Sequence, residues 1–91
     1  MTGLDPWRIQ VDSAARRGLH RLPAKVAAAV IEFITGPLGE NPERLSKPLR
    51  DELAGHRSAR RGDYRVLIRI DADAHTVLVV RIDHRADVYR P

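Results

Sequence analysis

A chain of 91 residues suffices for one domain, residues 1–91. Because it has no cysteine and only four histidines, we expect no disulfide, no thiol nucleophile, no metal ion and no other cofactor. No apolar run approaches the roughly 18–20 residues of a membrane helix, and the first seven residues do not resemble a signal peptide, so we expect a cytoplasmic protein without a membrane partner. The formal net charge of +4 is compatible with a polyanionic partner and equally with an ordinary solvated surface rich in arginine, so only the distribution of the charge can separate the two.

The first part of the chain predicts a strand followed by a helix. Residues 7–12 alternate apolar with polar side chains, which is typical of a strand. Asp12 or Ser13 can cap the helix that follows. The apolar stripe of this helix comprises Ala15, Leu19 and Leu22. Pro23 ends the helix and can lie in the first turn of the next one.

A second helix and a long polar connection come next. The apolar stripe of the second helix comprises Val26, Val30, Phe33 and Ile34. We expect Gly36-Pro37 to end it, so that the two helices form a hairpin. The polar segment 38–54 contains two prolines, and we expect it to be irregular apart from a short helix near residues 50–53.

From residue 56 onward the apolar period changes to two, which predicts three strands. The first is basic and weakly patterned (56–61), the second has a clear apolar face (64–71), and the third is rich in β-branched residues (76–83). The order β-α-α-β-β-β predicts an α+β fold, in which the helical hairpin packs on one face of a small, mostly antiparallel sheet. The other face is then free to carry polar side chains.

Arginine is concentrated in these strands. Arg65 and Arg69 must share one face of their strand, because side-chain direction repeats every two residues. If the strands pair as a meander, Arg81 and either Arg57 or Arg61 can join them. Converging guanidinium groups repel one another unless an anion lies between them. We therefore favour an anion-binding face over a surface on which each arginine merely covers apolar area.

The end of the last strand offers groups for proton transfer in RNA cleavage. RNA can be cut without a metal ion when its own 2′-hydroxyl attacks the adjacent phosphate, a reaction that needs a base, an acid and cations. Histidine ordinarily titrates near neutral pH, which makes His84 a candidate, whereas Tyr89 would need neighbouring arginines to act as a base. His56 is a further candidate. Such residues more often serve packing or the surface, so they do not establish catalysis by themselves.

Three segments, in order, resemble the motifs of RelE-type toxins in the RelE/ParE superfamily. Residues 41–55, which contain Lys47-Pro48-Leu49, resemble the family's linker. Residues 60–67, RRGDYRVL, resemble its central RxGxYR strand, and residues 79–89 resemble its final strand with an HRxxVY ending. The similarity spans nearly the whole chain, including the helical hairpin.

The resemblance implies a toxin of a type II toxin–antitoxin system. Such a toxin would be a metal-independent endoribonuclease that cuts mRNA in the ribosomal A site, and a RelB-like antitoxin would neutralise it. By position in the motifs, it implies that Arg65 clamps the phosphate, that Arg85 stabilises the reaction and that Tyr89 is the functional tyrosine near the C-terminus. The expected RNA-binding residues are Lys47, Arg57, Arg60, Arg61, Arg69 and Arg81.

The chain departs from the family pattern on the strand before the Tyr-Arg pair. Some members place two lysines on the strand before the Tyr-Arg pair, where this chain has His56 and Ser58. Either His56 replaces a base, or the proton-transfer roles lie elsewhere. Two alternative functions stay open: a ParE-like toxin, which shares the fold but binds DNA gyrase and has no catalytic site, and, because of the altered lysine positions, an inactivated homologue that only binds antitoxin.

Overall fold

The computed structural model describes residues 6–84. Its regular elements are β1 (Arg8–Val11), α1 (Ser13–Arg21), α2 (Ala24–Phe33), β2 (Lys47–Pro48), β3 (Arg57–Arg61), β4 (Tyr64–Asp71) and β5 (Thr76–His84). The predicted α+β class and the order of the six expected elements are confirmed. The predicted short helix is a 3-10 turn at Asp51–Leu53, and β2 is an additional strand within the segment expected to be irregular.

The five strands form one sheet in the order β1-β5-β4-β3-β2. Strand β1 pairs with β5 in parallel, and the other three pairings are antiparallel, as a mostly antiparallel sheet requires. The two best-patterned strands, β4 and β5, lie inside the sheet, each with a neighbouring strand on both sides.

The two helices cover one face of this sheet. Asp12 is the N-cap of α1, and its carboxylate accepts a hydrogen bond from the backbone N–H of Ser13 at 2.6 Å. Gly18 lets α1 lie close to β5, because a Cβ at this position would come within 3.0 Å of the Ile82 carbonyl oxygen. The core residues are Ala15, Leu22, Val30, Phe33, Ile34, Leu38, Ala59, Tyr64, Val66, Ile68, Val77, Val79 and Ile82. Within residues 6–84 no helix has the length and apolar composition that crossing a membrane requires.

The second helix does not end at Gly36-Pro37, and that prediction is wrong. Helical backbone continues as a π turn, Ile34–Leu38, and reaches residue 40. Proline has no N–H to donate to the carbonyl four residues earlier, and the wider π turn accommodates its ring within the helix. The continuation buries Ile34 and Leu38, so tertiary packing outweighs the local stop signal.

Strand β5 contains a bulge at Val80. Its neighbour Val79 pairs with Ile68 of β4, whereas Arg81 pairs with the next residue of β4, Leu67, so Val80 has no partner in the register. A bulge of this kind reverses the alternation of side chains beyond it. Val79 and Ile82 therefore both point into the core, and Arg81 lies on the opposite face.

Candidate nucleic-acid interface

The sheet face turned away from the helices carries most of the predicted RNA-binding residues; it is called the open face below. Cross-strand partners in an antiparallel pair share a face. One row of partners crosses the sheet from Lys47 through Ser58 and Leu67 to Arg81. The next row runs from Arg60 through Arg65 to Asp83. Strands β2–β5 thereby bring five cations to the open face: Lys47, Arg60, Arg65, Arg69 and Arg81.

Three of these arginines have no ion-pair partner in the described part of the chain. Arg60, Arg65 and Arg69 are exposed, and none of them makes a salt bridge or a side-chain hydrogen bond within residues 6–84. Arg60 and Arg65 lie directly opposite each other on β3 and β4, an arrangement that costs free energy. An anion bound between their guanidinium groups would remove that repulsion and gain charge-assisted hydrogen bonds.

The prediction that Arg57 or Arg61 joins this cluster is wrong, because both lie on the helix side of β3. Arg57 pairs with Ile68 and Arg61 with Tyr64, two core positions of β4. The period of two along β3 therefore places Ser58 and Arg60, not the arginines beside them, on the open face.

Both of these arginines contact protein groups instead. The Arg57 Nε donates to Ser46 Oγ at 2.7 Å, and its Nη2 donates to the carbonyl oxygens of Ser46 and Glu43 at 2.9 and 3.0 Å. The Arg61 guanidinium carbon lies 5.2 Å from the centre of the Phe33 ring, a cation–π contact. Arg57 thus ties the segment before Lys47 to β3, and Arg61 covers the core.

His84 also lies on the helix side, since it pairs with Tyr64. It borders a surface depression of about 260 Å³ that is lined by Lys25, Val26, Ala29, Asp63, Tyr64 and His84. Arg65, the residue that follows Tyr64, lies on the other face. The described structure therefore does not bring His84 together with the arginine cluster.

Tyr64, which occupies the Tyr position of the Tyr-Arg pair, is a core residue. Its hydroxyl donates to the Ala29 carbonyl oxygen at 3.3 Å, and its ring meets Phe33 edge-on at 6.2 Å. Burial raises the pKa of the Tyr64 hydroxyl, Arg61 opposes that shift, and Glu32 adds to it. Tyr64 therefore stays a neutral phenol at neutral pH, and its role is to anchor β4 beneath α2.

His56 precedes β3 by one residue and is partly buried. Its backbone N–H donates to the Leu53 carbonyl at 2.9 Å, and its carbonyl accepts from the Leu49 N–H at 3.0 Å. Its Nδ1 is buried without a hydrogen-bond partner among residues 6–84. Arg85 and Tyr89 lie outside the described residues. Within residues 6–84, no group of three or more His, Cys, Asp or Glu side chains could hold a metal ion.

One residue of the open face was not predicted from the sequence. Asp83 pairs across strands with Arg65, and its Oδ1 accepts a hydrogen bond from Arg81 Nε at 2.9 Å. The available signal was the spacing, since opposite charges two residues apart on a strand share a face. The sequence did not show which face that is, because the bulge at Val80 decides it.

Comparison with known proteins identifies relatives of this chain. The profile of the family described as ParE toxin of type II toxin–antitoxin system, parDE, matches residues 9–89. Toxin RelG of Mycobacterium tuberculosis is 54% identical over 85 residues, which cover 93% of this chain and 98% of that protein. Toxin RelE of the same organism is 51% identical over 85 residues, covering 93% of this chain and 88% of that protein.

A solved structure supports the same relationship. The toxin–antitoxin complex RelBE2 from Mycobacterium tuberculosis contains a chain that is 52% identical to this one, with a TM-score of 0.89. The match covers 93% of this chain and 98% of that chain. The three motifs noted in the sequence all lie within the matched family range, which ends at residue 89. The chain therefore belongs to the RelE/ParE superfamily and is a RelE-family toxin of a type II toxin–antitoxin system.

Proposed function

We propose that this toxin is an endoribonuclease that cuts mRNA in the ribosomal A site and thereby inhibits translation. The observation that carries the proposal is the open face, where Arg60, Arg65 and Arg69 have no ion-pair partner within residues 6–84. Guanidinium groups in such a cluster bind phosphate oxygens well, because each offers several N–H donors in a fixed plane. The names of the relatives, RelE and RelG, support the same assignment.

The proposed chemistry needs no metal ion. The 2′-oxygen of the RNA forms a bond to the adjacent phosphorus as the bond from phosphorus to the 5′-oxygen breaks. A base takes the proton of the 2′-hydroxyl, and an acid protonates the departing 5′-oxygen. Arg65 and Arg85 are assigned to stabilise the charge of the phosphorane, because arginine stays protonated and acts only electrostatically.

Proton transfer is assigned to Tyr89, His84 or His56. Of these, His84 lies on the helix side of β5, so RNA bound at Arg65 would have to pass round the end of this strand to reach it. His56 immediately precedes β3, the strand that carries Arg60. RNA contacts are assigned to Lys47, Arg60, Arg69 and Arg81 on the open face, while Arg57 and Arg61 would contribute by supporting the fold.

We also propose a RelB-like antitoxin as the protein partner. The close structural relative is a chain of a toxin–antitoxin complex. The net charge of +4 on this chain makes an acidic partner favourable. We propose that both proteins act in the cytoplasm, where the mRNA substrate is found.

A translating extract tests the function directly. Purified toxin is expected to cleave mRNA on ribosomes, and Arg65→Ala should lower the cleavage rate by about 10²–10³, as loss of one preorganised electrostatic contact typically does. Arg85→Ala should have a similar effect. Arg17→Ala removes an exposed arginine from α1, away from the open face, and should keep the wild-type rate. Full-rate cleavage by a folded double variant lacking Arg65 and Arg85 would contradict the assignment.

A second candidate function follows from the family profile, which is that of ParE toxins. A ParE-like toxin would bind DNA gyrase and would have no catalytic site. In that case the protein would stop supercoiling by gyrase and leave mRNA intact. An inactivated homologue would bind antitoxin and do neither, so the same two assays separate all three functions.

A further inference from the structure

We propose that Asp83 is a positioning residue of the open face, which holds the Arg81 guanidinium beside Arg65 so that a phosphate meets both cations in a fixed geometry. The inference rests on the proposed RNA-cleaving function and adds to it a residue that acts through Arg81 rather than on the RNA. It is carried by one side-chain contact, one register position and one backbone irregularity, all in β4 and β5.

The contact is selective for one part of the arginine. Arg81 Nε donates to Asp83 Oδ1 at 2.9 Å. A guanidinium group has five N–H donors, and the Nε–H is one of them. The carboxylate thus fixes the plane of the guanidinium while the four N–H groups on its two Nη atoms stay available for phosphate oxygens. The Arg81 side chain is 66% exposed, so these groups can be reached from solvent.

The register places this pair next to Arg65. Asp83 is the direct cross-strand partner of Arg65, whose other neighbour across the sheet is Arg60. One carboxylate therefore contacts Arg81 and lies across from Arg65, and it lowers the repulsion between these two guanidinium groups. Arg65 makes no ion pair of its own within residues 6–84, and its guanidinium remains available for the substrate.

The bulge at Val80 is what turns this pair toward the RNA. Without the extra residue, regular alternation from Val79 would send Arg81 and Asp83 into the helix-covered core and Ile82 outward. Bulges are frequent beside functional sites because they redirect side chains. Here the redirection adds one cation and its carboxylate partner to the open face together.

Positioning explains this pair better than stability does. Exposed ion pairs contribute little to the free energy of folding, and Arg81 is mostly exposed. An arginine that is already oriented, however, loses less rotational freedom when it binds phosphate, and preorganised charge is what stabilises a transition state. The effect of Asp83 should therefore be seen in the cleavage rate rather than in the melting temperature.

The test compares Asp83→Asn with Asp73→Asn. Both variants remove one carboxylate, but Asp73 lies in the exposed turn between β4 and β5. Asp83→Asn should bind a short mRNA analogue at least as tightly as wild type, because a negative charge is gone. Its single-turnover cleavage at saturating RNA should fall about ten- to hundredfold, as misplacement of a cation that orients the reacting phosphate does. Asp73→Asn should cleave at the wild-type rate, and an Asp83→Asn rate equal to wild type would overturn the proposal.

A double-variant cycle with Arg81 shows whether Asp83 acts through it. In an Arg81→Ala background, Asp83→Asn should cause no further loss of rate, because the group it positions is absent. If Asp83→Asn slows cleavage equally in both backgrounds, then the carboxylate does not act through Arg81 and the positioning role is refuted.

A measurement without RNA separates this proposal from the proposed function. The ¹⁵N relaxation of the Arg81 Nε–H in the free toxin should show a restricted group in wild type and in Asp73→Asn, and a mobile one in Asp83→Asn. Equal mobility in all three proteins would overturn the proposal even if the toxin cleaves RNA. Restricted motion in a wild-type protein that cleaves no RNA would instead refute the proposed function and leave the orienting contact established.

Discussion

At the scale of single residues, two arginines of β3 show how position determines the role of a side chain. Arg57 and Arg60 are chemically identical and three residues apart, so they point to opposite faces of the strand. Arg57 donates three hydrogen bonds to the segment 43–46, whereas Arg60 is exposed among other cations. The first arginine supports the fold, and the second is available to a ligand.

We expect these two arginines to differ in stability measurements. Arg57→Ala should lower the free energy of unfolding by about 1.5–3 kcal/mol, since it removes hydrogen bonds from a charged donor to partly buried oxygens. Arg60→Ala should change the free energy of unfolding by less than about 0.5 kcal/mol, as exposed substitutions usually do. Any small change should be stabilising, because the substitution removes the repulsion between Arg60 and Arg65. RNA affinity should show the reverse order. Urea denaturation and RNA titration of both variants measure this, and equal stability losses would contradict the assignment.

Tyr64 gives a prediction for alkaline pH. Burial raises its pKa above the ordinary value of 10.0 in the folded state. The folded state therefore favours the neutral phenol, and the stability that Tyr64 contributes is fully present below pH 10 and is lost as the pH rises through the raised pKa. Urea denaturation should show that wild type loses more stability than Tyr64→Phe between about pH 8 and about pH 11. Parallel losses in the two proteins would show that this phenol is not the titrating group.

At the scale of elements, the sequence predicts strands well where one face is buried and the other is solvated. The alternation in β4 fixed its bounds, residues 64–71, and the shared face of Arg65 and Arg69. It could not locate the bulge in β5, because Val79 and Val80 are the same residue type and only packing decides which one enters the core. The faces of Arg57 and Arg61 likewise depend on the β3 register, which the weak apolar pattern of β3 does not specify.

Two further elements differ from the prediction because long-range contacts outweigh local signals. The π turn carries Pro37 inside helical backbone, since the turn buries Ile34 and Leu38. Strand β2 has only two residues, one of them proline, which is too short for a periodic pattern. It pairs with β3 while Arg57 holds the preceding segment in place. Both features require knowledge of the neighbouring element.

The close packing of α1 on β5 can be tested with two glycines. Gly18→Val should destabilise the protein by about 1–3 kcal/mol, because its Cβ would lie 3.0 Å from the Ile82 carbonyl oxygen and backbone atoms cannot easily move away. Gly36→Val makes the same chemical change where, apart from its chain neighbours and the backbone of its own helix, no atom lies within 4 Å of the new Cβ, so it should cost less stability than Gly18→Val. Thermal or urea unfolding measures both variants, and similar losses would argue against a tight contact at Gly18.

At the scale of the whole molecule, one face of the sheet packs the core that stabilises the fold, and the other face carries the cations proposed to bind RNA. The helices bury one face and supply the core, while the uncovered face collects cations whose repulsion favours a bound anion. This division makes substitutions on the open face informative about function, because they leave the core intact. A partner that covers the open face must also offer negative charge to offset these cations.

Because of this positive charge, the association rate of the antitoxin can show which surface of the toxin it binds. If an acidic antitoxin covers the open face, the association rate should fall about tenfold or more from low to high salt, since screening shortens the reach of the attraction, while dissociation should change less. A double variant, Arg60→Ala with Arg69→Ala, should associate more slowly and depend less on salt, whereas Arg17→Ala on α1 should behave like wild type. Stopped-flow mixing at several salt concentrations measures these rates. If the double variant associates at the wild-type rate while Arg17→Ala slows binding, then the antitoxin binds the helical hairpin instead. An association rate that is independent of salt for every variant would rule out electrostatic steering.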